Sequence, residues 1–157
     1  KRFDDFWSLN LHSVLTYVIE RDNYVSPTNP TIKDQQLQEL GDPRWAANAN
    51  IMVGAGPATI RWSINYIGKQ TVGAYENYYS IQGRPPQNAD NALPRWYPDV
   101  FYHNMKIDLK ANDQFTFYIG VDNVFDTRPP LGELGTTGGS AYDAIGRYFY
   151  SGIKINL

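Results

Sequence analysis

The chain's only imidazoles are His12 and His103, and it has no Cys. A transition-metal site needs several His, Cys or carboxylate ligands converging at short range. Neither histidine has such spacing around it, so both read as isolated strand histidines. Carboxylates pair locally at Asp4-Asp5 and at Asp122 with Asp126. Acid–base catalysis needs a pair held at a defined separation with a shifted pKa, and the sequence fixes neither. Asp126 reads instead as the start of the turn into Thr127-Arg128-Pro129-Pro130. Gly54-Ala55-Gly56 and Gly138-Gly139 lack the strand-to-helix setting and the following Lys-Ser/Thr of a phosphate cradle. Ser8, Ser80 and Ser151 lack a nucleophile elbow. No catalytic constellation is expected, and neither a metal nor an organic cofactor is implied.

The chemistry that remains is recognition by aromatic and polar side chains. Aromatics make up 15% of the 157 residues, with 12 Tyr and 4 Trp, which is high for a soluble domain. The net charge of −2, from 14 basic and 16 acidic residues, leaves no basic footprint for nucleic acid. The length suits one domain. No stretch approaches the roughly 18–20 apolar residues of a transmembrane helix. A transmembrane β-barrel averages out to the same polar composition, because its strands alternate. The opening Lys1-Arg2-Phe3-Asp4-Asp5 has neither Met nor an apolar run, shows no signal peptide, and reads as a cut end.

Period-2 alternation, the mark of a strand with two unlike faces, recurs six times. From Trp7 to Glu20, Trp7, Leu9, Leu11, Leu15, Tyr17 and Ile19 share one parity, with His12 and Glu20 on the other. Trp45, Ala47, Ala49, Ile51 and Val53 then alternate with Asn48 and Asn50, and Ile60, Trp62, Ile64 and Tyr66 with Arg61, Ser63 and Asn65. Phe101, His103, Met105, Ile107 and Leu109 alternate with Tyr102, Asn104, Lys106, Asp108 and Lys110. Phe115, Phe117, Ile119 and Val121 alternate with Thr116, Tyr118, Gly120 and Asp122. The last segment sets Phe149, Ser151, Ile153, Ile155 and Leu157 against Tyr148, Tyr150, Gly152, Lys154 and Asn156. The fold class expected is all-β, an antiparallel up-and-down meander.

Gly54-Ala55-Gly56-Pro57 and Ala111-Asn112-Asp113 read as tight turns. The other connections, 22–42, 71–98 and 126–145, each run to about 20 residues or more, against the usual 2–5 of a hairpin. Their strict alternation puts every long loop at one end of the sheet, the asymmetry of an outer-membrane barrel. Trp45, Tyr66, Trp96, Tyr97, Phe101, Phe125, Tyr142 and Phe149 then fall near the external boundary and Trp7 near the opposite one, as an aromatic girdle requires. Six strands are too few to close such a barrel, whose usual minimum is about 8. The competing architecture is a soluble all-β ligand-binding module of carbohydrate-binding type, which would have to cover the apolar parity with protein.

"GVDNVFDTRPP" (120–130) and "YDAIGRYFYSGIKINL" (142–157) resemble the penultimate and final strands of TonB-dependent outer-membrane receptors. "ELGDPRWAANANI", "INYIGKQTVG" and "WYPDVFYHN" resemble late-barrel strands of the same family. The resemblance implies a plugged barrel of about 22 strands. Residues 1–157 would be its C-terminal segment, with the plug and the earlier strands absent. It further implies residence in the Gram-negative cell outer membrane with a periplasmic C-terminus, and uptake of a ferric siderophore, haem, cobalamin or oligosaccharide. Partners would be outer-membrane lipid, the remaining strands and plug, the TonB complex through that plug, the barrel-assembly machinery and the cargo. Phe149, Ile153, Ile155 and Leu157 would carry the assembly signal, although the family usually ends in an aromatic residue. Cargo contacts are expected from lumen-facing Tyr102, Asn104, Tyr118, Asp122, Tyr148 and Tyr150, and from loop residues Arg84, Trp96 and Tyr97.

Overall fold

A computed structural model describes residues 6–24, 28–29, 33–71, 96–132, 135–136 and 141–156. In chain order its strands are β1 (Trp7–Tyr17), β2 (Asp22–Tyr24), β3 (Lys33–Gln35), β4 (Trp45–Ala55), β5 (Ala58–Ile67), β6 (Gln70–Thr71), β7 (Trp96–Tyr97), β8 (Val100–Lys110), β9 (Phe115–Asp122), β10 (Leu131–Gly132), β11 (Gly135–Thr136) and β12 (Tyr148–Ile155). The six long strands form one antiparallel sheet in the order β1-β4-β5-β8-β9-β12. This is the expected meander.

The register turns alternation along each strand into two continuous faces. Directly opposed residues form the row Leu9, Val53, Ile60, Ile107, Ile119, Ser151 across all six strands. The neighbouring row is Leu11, Ile51, Trp62, Met105, Val121, Phe149. The opposite face carries Asn10, Met52, Arg61, Lys106, Gly120, Tyr150. Among the described residues no second layer packs on the apolar face. Leu11 and Phe149 are each 66% exposed, and Leu15, Phe101, Ile119 and Ile153 are exposed beside them. A soluble sandwich would bury this face against a second sheet.

Strand ends differ from the sequence expectation for local reasons. β1 stops at Tyr17, opposite Trp45, with one further ladder bond beyond it, from the Val18 N–H to the Arg44 carbonyl at 2.9 Å. β4 and β5 run further than expected, so their turn shrinks to Gly56-Pro57, with Ala55 opposite Ala58. Gly56 has φ +56° and proline holds φ near −65°, the sign pattern of a two-residue II′ hairpin turn. In the second tight turn Asn112 Oδ1 accepts from the Gln114 and Phe115 N–H groups at 2.9 and 2.8 Å.

The long connections meet at the other end. They contain three short ladders, β2–β3, β6–β7 and β10–β11, where connection length and turn formers predict long loops. Here, not under the sheet, lies the buried cluster of Tyr97, Val100, Tyr102 and Tyr142, joined by Ile67 and Ala141. Gln70, wholly buried, ties the three connections together. Its Nε2 donates to the Tyr142 hydroxyl at 2.8 Å and its Oε1 accepts from the Gly41 N–H at 2.5 Å.

Candidate ligand-facing wall

On the polar face, beneath this cluster, lies a concavity of about 550 Å³. Asn48, Asn65, Tyr102, Asn104, Asp122 and Tyr148 line it from five strands, and Asp143 and Ile145 reach over it from the last connection. Alternation explains the set: each strand residue has the parity opposite to the apolar rows.

Asn123 holds the wall and its overhang together. Its N–H donates to Asn104 Oδ1 at 2.8 Å. Its side-chain Nδ2 donates to the Thr127 carbonyl at 2.9 Å and to Asp143 Oδ2 at 3.1 Å, and its Oδ1 accepts from the Thr127 N–H at 2.8 Å. The Tyr102 hydroxyl accepts from the Asp143 N–H at 3.1 Å. Asp126 Oδ1 accepts from the Arg147 N–H at 3.0 Å. Asn123 and Asp126 have φ of +50° and +54°, a left-handed geometry that Asn and Asp tolerate better than other side chains. The two motifs quoted above, 120–130 and 142–157, are therefore stitched to each other at their loop ends.

Of the expected cargo residues, Tyr102, Asn104, Asp122 and Tyr148 come together at the concavity. Tyr118 and Tyr150 lie on the same face nearer the tight turns, their ring centres 6.4 Å apart, with Tyr150 stacked 6.2 Å from Tyr148. The Lys106 ammonium sits 4.5 Å over the Tyr118 ring and 3.2 Å from Asp108. Tyr97 is buried, its ring 6.1 Å from that of Tyr142, so both face into the loop cluster rather than outward as girdle residues. Trp96 is half-buried, with Lys69 Nζ 4.8 Å over its ring. Phe149, Ile153 and Ile155 are exposed on the apolar face. Arg84 and Leu157 lie outside the described residues.

The sequence reading missed two pairs. Asn48 opposes Asn65 at the concavity, and Arg61 opposes Lys106 below it, two cations side by side. Their parity was visible, but their adjacency needed the register. His12 opposes Asn50 on the polar face. His103 Nδ1 accepts from Trp62 Nε1 at 3.1 Å and its ring packs 5.0 Å from Phe125, which occupies it structurally. Among the described residues no three His, Cys, Asp or Glu gather as a metal site. In the loop cluster, burial pushes the Tyr142 hydroxyl up to about 12 and outweighs the Gln70 hydrogen bond. The wall thus offers phenol faces, carboxamides, the Asp122 and Asp143 carboxylates and the Arg61–Lys106 pair with Asp108 beside it, suited to holding a polar or aromatic small molecule.

Neither a family model nor a curated protein sequence matches the chain. Solved structures do match. A variant of the ferric enterobactin receptor PfeA of Pseudomonas aeruginosa shares the fold with a TM-score of 0.61 at 20% identity, over 98% of this chain. A second variant of that receptor, in complex with enterobactin, gives 0.59 at 20% identity over 98%. The siderophore receptor PirA of Acinetobacter baumannii gives 0.60 at 16% identity over 94%. The chain spans 20% of the length of each of these receptors. Its six-stranded sheet therefore has the fold of a segment of a siderophore-receptor β-barrel.

Proposed function

We propose that the chain is the C-terminal barrel portion of a TonB-dependent outer-membrane receptor that takes up a scarce, chelated nutrient. One observation carries this reading: among the described residues an apolar face continuous over six strands is left uncovered, in a sheet whose edge strands β1 and β12 each pair on one side only. Lipid covers such a face, and further barrel strands satisfy such edges. The siderophore receptors that share the fold make a ferric siderophore the first cargo class to test, with haem, cobalamin and oligosaccharide behind it. The soluble carbohydrate-binding module would need a protein layer over the apolar rows.

In this reading the segment supplies wall, loops and assembly signal rather than energy coupling or catalysis. Cargo enters from the long-loop end, meets the concavity at Tyr102, Asn104, Asp122 and Tyr148, and is held against phenol faces while Arg61 and Lys106 offset its negative charge. The C-terminus points to the periplasm. The remaining strands, a plug and the TonB complex complete the machine. The test is uptake of radio-iron from a panel of ferric siderophores by cells expressing the protein, with outer-membrane fractionation alongside. Energy-dependent uptake of one siderophore, lowered by Tyr102→Ala and Asp122→Ala, is expected. Recovery of the protein in the aqueous fraction would overturn the reading.

A further inference from the structure

Near the long-loop end of the apolar face, the sheet carries a groove of about 380 Å³. Its floor is Ala47 and Ala49 on β4, where neighbouring positions of the same rows carry larger side chains, and its walls are Ile64 and Phe101. Ser13, opposite Ala49, keeps the surface low on the β1 side. At the groove's upper end Tyr66 packs its ring 4.8 Å from that of Phe101 and donates from its hydroxyl to Asp99 Oδ1 at 2.9 Å.

Tyr66 and Asp99 also belong to a second, polar hollow of about 290 Å³ directly above, lined by Arg44, Lys69, Trp45 and Gln38. Arg44 leans over the Tyr17 ring at 5.8 Å and donates to the Tyr17 hydroxyl and the Ile19 carbonyl at 3.4 Å each. Lys69 is exposed, over the Trp96 ring. The single carboxylate, Asp99, already accepts from the Tyr66 O–H and from the Lys69 N–H at 2.9 Å. Two cations with aromatic backing thus sit at the mouth of a narrow apolar slot, level with Trp45, Tyr66 and Phe101.

We infer that this slot and the hollow above it form a binding site for a phosphate-bearing, acylated lipid of the outer leaflet, with Arg44 and Lys69 on the phosphate and Ala47 and Ala49 under an acyl chain. Charge complementarity selects a lipid with an exposed phosphate over a zwitterionic one. The site faces away from the cargo wall, because Ala49, Ile64 and Phe101 have the parity of the apolar rows and none of them lines the concavity. The inference rests on the barrel reading given above.

The experiment reconstitutes the full-length protein that carries this segment in phosphatidylcholine nanodiscs and offers lipid A or its dephosphorylated form, reading retained lipid by native mass spectrometry. The wild type should retain the phosphorylated form about tenfold better, as two interfacial cations allow. Arg44→Gln with Lys69→Gln should abolish that preference. Ala49→Leu, which fills the slot, should lower retention of both forms. Heat-modifiable gel mobility checks that each variant is folded. Equal retention of the two forms by inserted wild-type protein, or a preference that survives the double substitution, overturns the site and leaves the barrel reading standing. Failure of the protein to insert at all overturns both.

Discussion

Gly152 lies directly opposite Tyr118 in the β9–β12 ladder, and the Tyr118 ring fills the space that a Cβ at 152 would take. The relationship is reciprocal two residues along, where Tyr150 covers Gly120 in the same way. Each glycine lets a phenol lie flat across the partner strand, which restores packing that a glycine in a strand forfeits. Gly152→Val should therefore displace the ring and cost about 1–3 kcal/mol by overpacking. Removing the ring as well, in Tyr118→Ala with Gly152→Val, should recover part of the loss, a coupling read by denaturant unfolding in detergent. Strictly additive costs would mean that the two residues do not share this space.

Asn123 joins the two loop ends of β9 and β12 through Thr127, Asp143 and its own N–H to Asn104. Asn123→Ala loses three buried side-chain hydrogen bonds and keeps a positive φ, so a loss of about 2–4 kcal/mol is expected. Asn123→Asp should be nearly as harmful, because it sets a second carboxylate against Asp143. Asp143→Asn in the same chain should relieve it. Limited trypsin cleavage after the exposed Arg147 reports the loosening. Unchanged cleavage rates in Asn123→Asp would remove Asn123 from this role.

Much of this architecture is legible in the sequence because two environments impose a period of two. Leu9, Leu11, Phe117 and Ile153 announce one face, and Asn10, Asp108 and Lys154 the other, without any knowledge of pairing. The loop asymmetry follows from connection lengths alone. What period cannot supply is register, and register is what sets Arg61 beside Lys106 and Asn48 beside Asn65. Nor can it orient an aromatic beyond the end of a strand. Tyr97 and Tyr142 read as girdle residues like Tyr66, yet the β6–β7 ladder and the Gln70 hydrogen bond turn them inward. The Asn123 network was hidden for a related reason: its partners Thr127 and Asp143 meet only once the chain has turned back.

Tyr142 gives the loop cluster a dependence on alkaline pH. Burial holds its hydroxyl neutral up to about 12, above the ordinary value of 10.0. The folded state therefore keeps a proton that the unfolded state releases first. Its contribution is fully present below pH 10, declines as pH rises, and is gone above about 12. In absorbance titration at the tyrosinate band, Tyr142→Phe should remove amplitude from the latest step and leave the earlier ones. Amplitude lost near pH 10 instead would show that Tyr142 is not sequestered by the cluster.

The apolar face offers the sharpest separation of the barrel from a soluble module. Ile119 sits in the row Leu9, Val53, Ile60, Ile107, Ile119, Ser151, midway along β9, where lipid would be deepest. Thr59 lies one position from Ile60 on the opposite face. In a bilayer, Ile119→Arg should cost about 2–4 kcal/mol because the guanidinium must leave water, whereas Thr59→Arg stays in an aqueous lumen and should be near neutral. The difference should appear in folding into lipid vesicles. A soluble module that packed Ile119 in a protein core would also suffer from arginine there, so the deciding comparison is Ile119→Leu against Ile119→Phe. Lipid accommodates either side chain, and both variants should fold like the wild type. A close-packed core would reject the larger ring by about 1–3 kcal/mol.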